Sequence, residues 1–128
     1  MMHIPSLFIV PSEGKGRGVF TGEDIHKNDI IEICPIIVIP KKDVERIHQT
    51  ILHDYYFIHP NLKETIYIPL GYGCIYNHSK EANAEVIFGS ASNQMQIHCL
   101  KNIKAGEEIL INYNGDSKEG VKIWFDEV

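Results

Sequence analysis

The stretch Gly71-Tyr-Gly-Cys-Ile-Tyr-Asn-His-Ser79 places three polar residues directly after a short apolar pair. The apolar pair is typical of a strand, and Asn77, His78 and Ser79 follow at its end. Polar side chains at a strand end commonly line a pocket, so this stretch is a candidate binding site. A second interpretation stays open, in which Asn77 and Ser79 only cap the backbone of a turn.

Strand patterns dominate the chain on both sides of this stretch. Apolar and β-branched runs predict strands over residues 7–10, 30–39, 55–58, 65–70, 85–88 and 95–100. Pro11 should stop the first run, and Pro35 should either split the second run into two strands or mark an edge or bulge. An apolar stripe at helical spacing predicts one helix over residues 41–52. The fold class is therefore mostly β, with many short strands and one helix.

Two segments of the chain share a sequence pattern. Residues 25–33 and 103–111 both follow Ile-x-x-(Asn/Gly)-(Asp/Glu)-x-Ile-x-Ile. Asn28 and Gly106 stand where a turn requires a positive φ, and an acidic residue and an apolar strand follow each of them. The pattern predicts two similar units of turn and strand, although chance similarity would explain it equally well.

Length and charge limit the function. The chain has 128 residues, of which 44% are hydrophobic and 23% charged, as in an ordinary globular domain. We predict a single domain over residues 1–128, with a core over about 5–114 and a C-terminal flap over about 115–128. The net charge of −5 argues against nucleic acid as a direct partner.

Cysteine usage and hydropathy indicate an intracellular protein. Cys34, Cys74 and Cys99 are an odd number, and no C-x-x-C pair is present, so neither a disulfide framework nor a zinc site is predicted. The N-terminus lacks the pattern of a signal peptide, and the longest apolar run, residues 36–39, is too short to span a membrane. We expect a cytoplasmic or nuclear location, with no membrane and no metal.

Three further clusters could carry chemistry. They are Gly14-Lys-Gly-Arg-Gly18, Asp54-Tyr-Tyr-Phe57 and Gly106-Glu-Glu-Ile-Leu-Ile-Asn-Tyr113. A glycine-rich loop lets the backbone approach a ligand, and adjacent aromatic residues on a strand can face a cleft. Taken singly, the first cluster has the simpler interpretation of a tight β-turn, and the third that of a buried tyrosine whose hydroxyl finds a partner. In the second cluster, one aromatic residue would face the core and its neighbour solvent or a cleft.

Taken in this order, over nearly the whole chain, the clusters resemble the SET domain of protein lysine methyltransferases. The motifs that carry the resemblance are Lys15-Gly-Arg-Gly-Val-Phe20, Asp54-Tyr-Tyr-Phe57, Asn77-His-Ser79 with Asn83, and Gly106-Glu-Glu-Ile109 leading to Tyr113. The short chain looks most like the stand-alone SET proteins of large DNA viruses and some bacteria. The resemblance implies a β-clip fold of short curved sheets with a C-terminal pseudoknot.

The resemblance also implies a cofactor and a site. S-adenosylmethionine would be held by Lys15, Gly16, Arg17, Gly18, Tyr55, Asn77, His78, Tyr113 and Trp124. Tyr113 would be the catalytic residue. The channel for the substrate lysine would be lined by Tyr55, Tyr76, Ile111 and Tyr113.

Some features depart from the family pattern. Cysteine-rich flanking segments are absent from the sequence. The aromatic residue that covers the adenine should follow Tyr113 closely, whereas here Trp124 or Phe125 would have to fill that role, and packing of a tail explains those two residues equally well. Ile111 stands where many SET domains have Phe or Tyr, so the number of methyl groups added stays open.

The function implied is transfer of a methyl group from S-adenosylmethionine to lysine in a basic protein, such as a histone tail or a ribosomal protein. The alternative is a catalytically silent SET-like module that binds proteins or peptides. The apolar residues 36–39 could form the patch of a homodimer. If the chain is viral or a secreted effector, its location would be the host nucleus.

Overall fold

Strands form most of the structure, a computed structural model that describes residues 3–12, 14, 16–89 and 93–112. The predicted fold class is confirmed. The strands are β1 (Leu7–Ser12), β2 (Gly16–Thr21), β3 (Ile30–Ile39), β4 (Phe57–Ile58), β5 (Ile66–Pro69), β6 (Asn77–His78), β7 (Ala84–Gly89), β8 (Gln94–Cys99) and β9 (Leu110–Ile111). One α-helix, α1 (Lys41–His48), and a short 3₁₀-helix (Ile51–Asp54) lie between β3 and β4.

The strands form two sheets. β1 and β2 make an antiparallel pair, and the other strands form one sheet in the order β4, β5, β3, β8, β7, β9, β6. β3 links the two halves of the larger sheet, because its residues 30–35 pair with β8 and its residues 36–39 pair with β5. Pro35 therefore lies where one continuous strand changes partner. The irregularity in pairing falls between Ile30 and Glu32 rather than at the proline.

The repeated sequence pattern forms two equivalent turns, as predicted. Asn28 and Gly106 both have positive φ, at 78° and 91°. In each turn the carboxylate of the following acidic residue, Asp29 or Glu107, accepts a hydrogen bond from the backbone amide three residues earlier. The similarity is therefore physical, since the same residue types close the same turn.

The two units also pair with each other. Ile25 and Ile103 exchange backbone hydrogen bonds of 2.8 Å in both directions. The side chains of Asp24 and Asn102 each accept a backbone amide from the other unit's turn at 2.9 Å. These reciprocal bonds relate the units by an approximate twofold axis, with both isoleucines in the core.

The core lies between the curved sheets. In β8 the predicted alternation is confirmed, because Met95, Ile97 and Cys99 are all buried. The other buried apolar side chains of the core come from most of the remaining strands and from the paired turns. They include Val19, Ile25, Ile31, Cys34, Phe57, Tyr67, Tyr76, Ala84, Val86, Phe88, Ile103, Ile109 and Ile111.

The predicted helix over residues 41–52 was too long. α1 ends at His48, and the Thr50 hydroxyl accepts a hydrogen bond from the Leu52 amide at 3.1 Å, which begins the 3₁₀-helix. Ile51, which the pattern placed on the buried stripe, is 75% exposed. A threonine that bonds local backbone groups competes with helix continuation, which explains the early end.

Several strand boundaries also differ from the prediction. β1 continues through Pro11, which pairs with Arg17, because a proline is tolerated in a strand of a two-stranded sheet. The strand predicted from residue 55 begins only at Phe57, and β9 has only two residues. β9 lies between β7 and β6 and is parallel to both. The predicted pseudoknot stays a prediction, because the segment that would form it follows Asn112 and lies outside the described residues.

Neither helix in the described part of the chain is long and apolar enough to cross a membrane.

His59 is buried in a state that requires a neutral ring. Its Nδ1 atom accepts hydrogen bonds from the amides of Asn61 and Leu62, at 3.1 and 3.0 Å, and its ring packs on Phe88 with the centroids 4.8 Å apart. Burial lowers the pKa of His59 below its usual value. Protonation of Nδ1 would break both hydrogen bonds, so the folded protein resists taking up this proton.

We predict that His59 makes the fold sensitive to mild acid. As the pH falls below about 6.5, the unfolded chain takes up the proton first, so the free energy of unfolding should decrease. Urea denaturation at several pH values would measure this decrease. His59→Asn keeps an oxygen acceptor for the two amides without a titrating ring, and its unfolding free energy should fall less. The same variant at the exposed His26 is the control, and equal pH dependence of the His59 variant and the unmodified protein would contradict the prediction.

Candidate active site

The polar stretch that follows Tyr76 forms β6 and lies directly beside β9. Asn77 pairs with Leu110 and His78 with Ile111, in parallel register. The amide of Ser79 extends the pairing by donating to the Ile111 carbonyl at 2.9 Å. Residues distant in sequence therefore meet at one sheet edge, two residues before Tyr113.

The side chain of Asn83 holds β9 in this position. Its Nδ2 donates to the Glu108 carbonyl at 2.9 Å, and its Oδ1 accepts the Leu110 amide at 2.8 Å. Its own backbone amide donates to the Leu110 carbonyl at 3.1 Å. A half-buried asparagine thus substitutes for a neighbouring strand and satisfies backbone groups that β9 would otherwise bury without partners.

Asn77 connects β6 to the glycine-rich loop. Its Nδ2 donates one hydrogen bond to the Arg17 carbonyl at 3.0 Å and another to Glu108 Oε2 at 2.8 Å. The second oxygen of Glu108, Oε1, accepts from the Ser12 hydroxyl at 2.8 Å. Three segments that are distant in sequence, β1–β2, β6 and the approach to β9, meet at this carboxylate.

Gly18 is required where these groups meet. A Cβ atom at this position would lie 2.2 Å from Glu108 Oε2 and 2.8 Å from Asn77 Nδ2. Both distances are far inside van der Waals contact, so the glycine allows the close approach. The predicted residues Gly16, Arg17 and Gly18 are thereby brought beside Asn77.

Tyr76 is buried and points to an acidic group. Its hydroxyl donates to Glu32 Oε1 at 2.7 Å, and the other oxygen of Glu32 accepts the Tyr72 amide at 2.9 Å. Burial raises the pKa of Tyr76 well above its usual value, and the nearby Glu32 carboxylate adds to the shift. The phenol therefore stays neutral. Its predicted place in a lysine channel stays a prediction.

Tyr55 lies half-buried between the 3₁₀-helix and β4. Its carbonyl accepts a hydrogen bond from the Cys74 thiol at 3.4 Å, which places Tyr55 against the segment that leads into β6.

Burial raises the pKa of the Cys34 and Cys99 thiols, so both are poor nucleophiles at neutral pH.

Several predicted residues lie outside the described part of the chain. These are Lys15, Tyr113, Trp124 and Phe125. Ile111, in contrast, is described and is almost fully buried, at 1% exposure. Within the described residues, no three His, Cys, Asp or Glu side chains form a group that could hold a metal.

Sequence reasoning missed three polar residues of this region. Ser12 and Glu108 hold Asn77 in place, and Glu32 accepts from Tyr76. One signal was available, because Glu32 interrupts the apolar strand pattern of residues 30–33, whereas Glu108 only precedes an apolar run. An acidic residue in such a pattern requires a partner when it is partly buried. Ser12 carried no signal, since its partner is distant in sequence.

The sequence and the structure match known proteins. The family described as SET domain matches residues 16–114. The chain belongs to the SET domain family. This match begins at the glycine-rich loop and ends just after Tyr113, so it includes the described site. The resemblance drawn from the motifs is confirmed at the level of the family.

Individual relatives of this SET domain agree. A Schizosaccharomyces pombe histone-lysine N-methyltransferase specific for H3 lysine-37 is 32% identical over 122 residues, which are 94% of this chain and 78% of that protein. The crystal structure of a proposed histone methyltransferase of Plasmodium falciparum superposes with a TM-score of 0.72 at 38% identity, covering 91% of this chain and 97% of the other. The predicted enzyme class, protein lysine methyltransferase, is confirmed.

A more distant structure shows the shared fold alone. The Chaetomium thermophilum Polycomb Repressive Complex 2 bound to GSK126 contains a chain of which 16% superposes on 87% of this SET domain, with a TM-score of 0.66 at 24% identity. These three relatives are eukaryotic, so they do not test the closer resemblance to viral and bacterial SET proteins.

Proposed function

We propose that the protein transfers a methyl group from S-adenosylmethionine to the ε-amine of lysine in a basic protein. The observation that carries the proposal is the meeting of Gly18, Asn77 and the strand that leads to Tyr113. The glycine-rich loop, the polar strand end β6 and the strand β9 come from three distant parts of the chain and meet at one edge of the sheet. The predicted catalytic Tyr113 follows β9 by two residues in the sequence.

The described residues fit the predicted cofactor. Gly16 leaves the backbone of the loop open to a ligand, because no atom lies within 4 Å of the place that a Cβ atom would occupy. At Gly18 the corresponding space is taken by Glu108 and Asn77. Asn77 borders this loop through its hydrogen bond to the Arg17 carbonyl, and His78 and Tyr55 would add to the site. From outside the described residues, Lys15, Tyr113 and Trp124 would complete the site. S-adenosylmethionine would supply a methyl group on a positively charged sulfur.

The protein's own task is to orient and desolvate the two reactants. Methyl transfer to an amine is an in-line displacement and requires no covalent bond to the enzyme. The lysine must be neutral, and an aromatic channel that excludes water favours the neutral amine. The Tyr113 hydroxyl would align the amine and the transferring methyl group, and the nearly fully buried Ile111 would limit the space beside them.

A histone tail is the proposed substrate, with other basic proteins as the alternative. The relatives are named for histone lysine methylation, and the net charge of −5 favours a basic partner. Ile111 leaves more space than an aromatic residue would, but the number of methyl groups added depends on the whole channel.

The test is incubation of the pure protein with isotope-labelled S-adenosylmethionine and a panel of histones, ribosomal proteins and acidic control proteins. Label should appear on lysines of basic proteins, located by mass spectrometry. Calorimetric titration with S-adenosylmethionine separates the alternatives. Absence of binding by the folded protein would favour the silent protein-binding module.

We also propose a homodimer through the second half of β3. Residues 36–39 pair with β5 on one side, and no other described strand pairs with them. Ile37 in this half is 49% exposed. An apolar side chain beside an unpaired strand edge favours association with a second copy.

Ile37→Asp should therefore shift the protein from dimer to monomer. The aspartate would place a charge in the proposed contact, where removal from water disfavours association. Light scattering at micromolar concentration measures the mass, with the exposed Leu62 changed to aspartate as the control. A monomeric mass for the unmodified protein would contradict the proposal.

A further inference from the structure

The amide of Asn77 has one favourable orientation in this structure. Both hydrogens of Nδ2 are donated, one to the Arg17 carbonyl and the other to Glu108 Oε2. If the amide were reversed, its oxygen would face a carbonyl oxygen and a carboxylate oxygen, two repulsive contacts. Asn77 therefore presents Oδ1, an acceptor, away from these two groups.

Glu108 is the group that decides this orientation. Its carboxylate is an acceptor on both oxygens, and the buried Ser12 donates to Oε1, which favours the position of the carboxylate beside Asn77. The space for it exists because Gly18 has no side chain. Without Glu108, only the hydrogen bond to the Arg17 carbonyl would favour one orientation of the Asn77 amide over the other.

Comparison of the two repeated units distinguishes the role of Glu108 from that of its neighbour Glu107. Glu107 and Asp29 occupy the same position of the two equivalent turns, and each closes its own turn. At the next position the two units differ, with Glu108 in one and Ile30 in the other. The turn therefore explains Glu107 but not Glu108, whose carboxylate bonds Ser12 and Asn77 instead.

We propose that Glu108 is a positioning residue, which fixes the Asn77 amide so that the cofactor site offers an acceptor to a hydrogen-bond donor of the ligand. The inference rests on the proposed function, because it takes S-adenosylmethionine as the ligand. Glu108 itself does not touch the ligand. It acts through Asn77, and its loss should weaken cofactor binding more than the chemical step.

Calorimetry with S-adenosylmethionine and with its demethylated product tests the role of Glu108. Glu108→Ala should raise the dissociation constant about tenfold, as expected for the loss of one charge-assisted hydrogen bond. KM for the cofactor should rise equally, with kcat at saturation nearly unchanged. Glu107→Ala, which removes the same charge one residue away, is the matched control and should bind as the unmodified protein does.

Glu108→Gln distinguishes orientation from charge. Its side-chain oxygen can accept from Asn77 while its amide donates to Ser12, whose hydroxyl works in either sense. Affinity should therefore return to within about threefold of the original. Equal losses in the Gln and Ala variants would overturn the proposal, because the charge alone would then be responsible.

A paired change tests the contact even if Glu108→Ala fails to fold. Asn77→Asp alone sets two carboxylates against each other at the present 2.8 Å contact and should weaken binding more than tenfold. Adding Glu108→Gln supplies a donor to the new carboxylate and should recover part of that loss. No recovery would overturn the positioning role. Failure of the unmodified protein to bind the cofactor would instead overturn the proposed function.

Discussion

Tyr113→Phe is expected to lower the turnover number about 100-fold, the effect of removing one well-placed hydrogen-bonding group from a transition state. The change removes only the hydroxyl, so the cofactor dissociation constant should stay within about twofold. Ile111, two residues before Tyr113 in the sequence, pairs with His78 in β6. Single-turnover rates with a labelled cofactor measure the chemical step directly.

Tyr56→Phe is the matched control for this prediction. The Tyr56 hydroxyl bonds His48 Nδ1 at 2.7 Å, beside α1, so its loss should cost about 1 kcal/mol of stability without lowering turnover. If Tyr113→Phe kept full turnover while binding the cofactor, the catalytic assignment of Tyr113 would be wrong. If both variants lost activity equally, general destabilisation would explain the result.

Local chemistry made the turns predictable from the sequence. Asn28 and Gly106 tolerate positive φ, and the acid that follows each closes the turn within three residues. Because the acid that closes each turn lies in the same short segment, the pattern predicts the turn, while the pairing of the two turns with each other depends on the fold. The same holds for β8, where the alternation of Met95, Ile97 and Cys99 reflects the pleat of one strand.

Tertiary contacts decided the features that the sequence did not predict. Pro35 neither splits β3 nor creates a bulge, because two different partner strands take over on its two sides. The apolar stripe after residue 48 did not continue the helix, since Thr50 bonds local backbone groups and starts a 3₁₀ turn. Short-range patterns contain no information on which strand will lie beside a residue.

The candidate site, too, could be predicted from the sequence only in part. Asn77 and Gly18 could be identified as site residues through the motifs, but their contact depends on Glu108 and Ser12, which come from elsewhere in the chain. Glu108 was visible only as part of the motif Gly106-Glu-Glu-Ile109, with no indication of its partners. Its partners became known from the fold, in which β1–β2, β6 and the approach to β9 converge.

Gly18→Ala is expected to weaken cofactor binding more than tenfold while changing the stability little. The new methyl group would overlap Glu108 Oε2 and Asn77 Nδ2, at 2.2 and 2.8 Å. Both are ends of side chains that can rotate away, so the backbone need not move and the fold should persist. The rotation, however, breaks the hydrogen bond between them, and the methyl group enters the space beside the Arg17 carbonyl. Calorimetry and thermal unfolding of the same sample would measure the two effects.

Gly14→Ala separates this steric effect from the general cost of replacing a glycine. Gly14 has a φ of +73° and no atom within 4 Å of an added Cβ, so its substitution strains the backbone by about 1 kcal/mol and displaces no site residue. Gly18→Ala should thus lose affinity for the cofactor with little loss of stability. Gly14→Ala should lose stability with little loss of affinity. If Gly18→Ala bound the cofactor normally, Glu108 and Asn77 would be able to move apart without harm, and the close approach seen at Gly18 would have no part in holding the ligand.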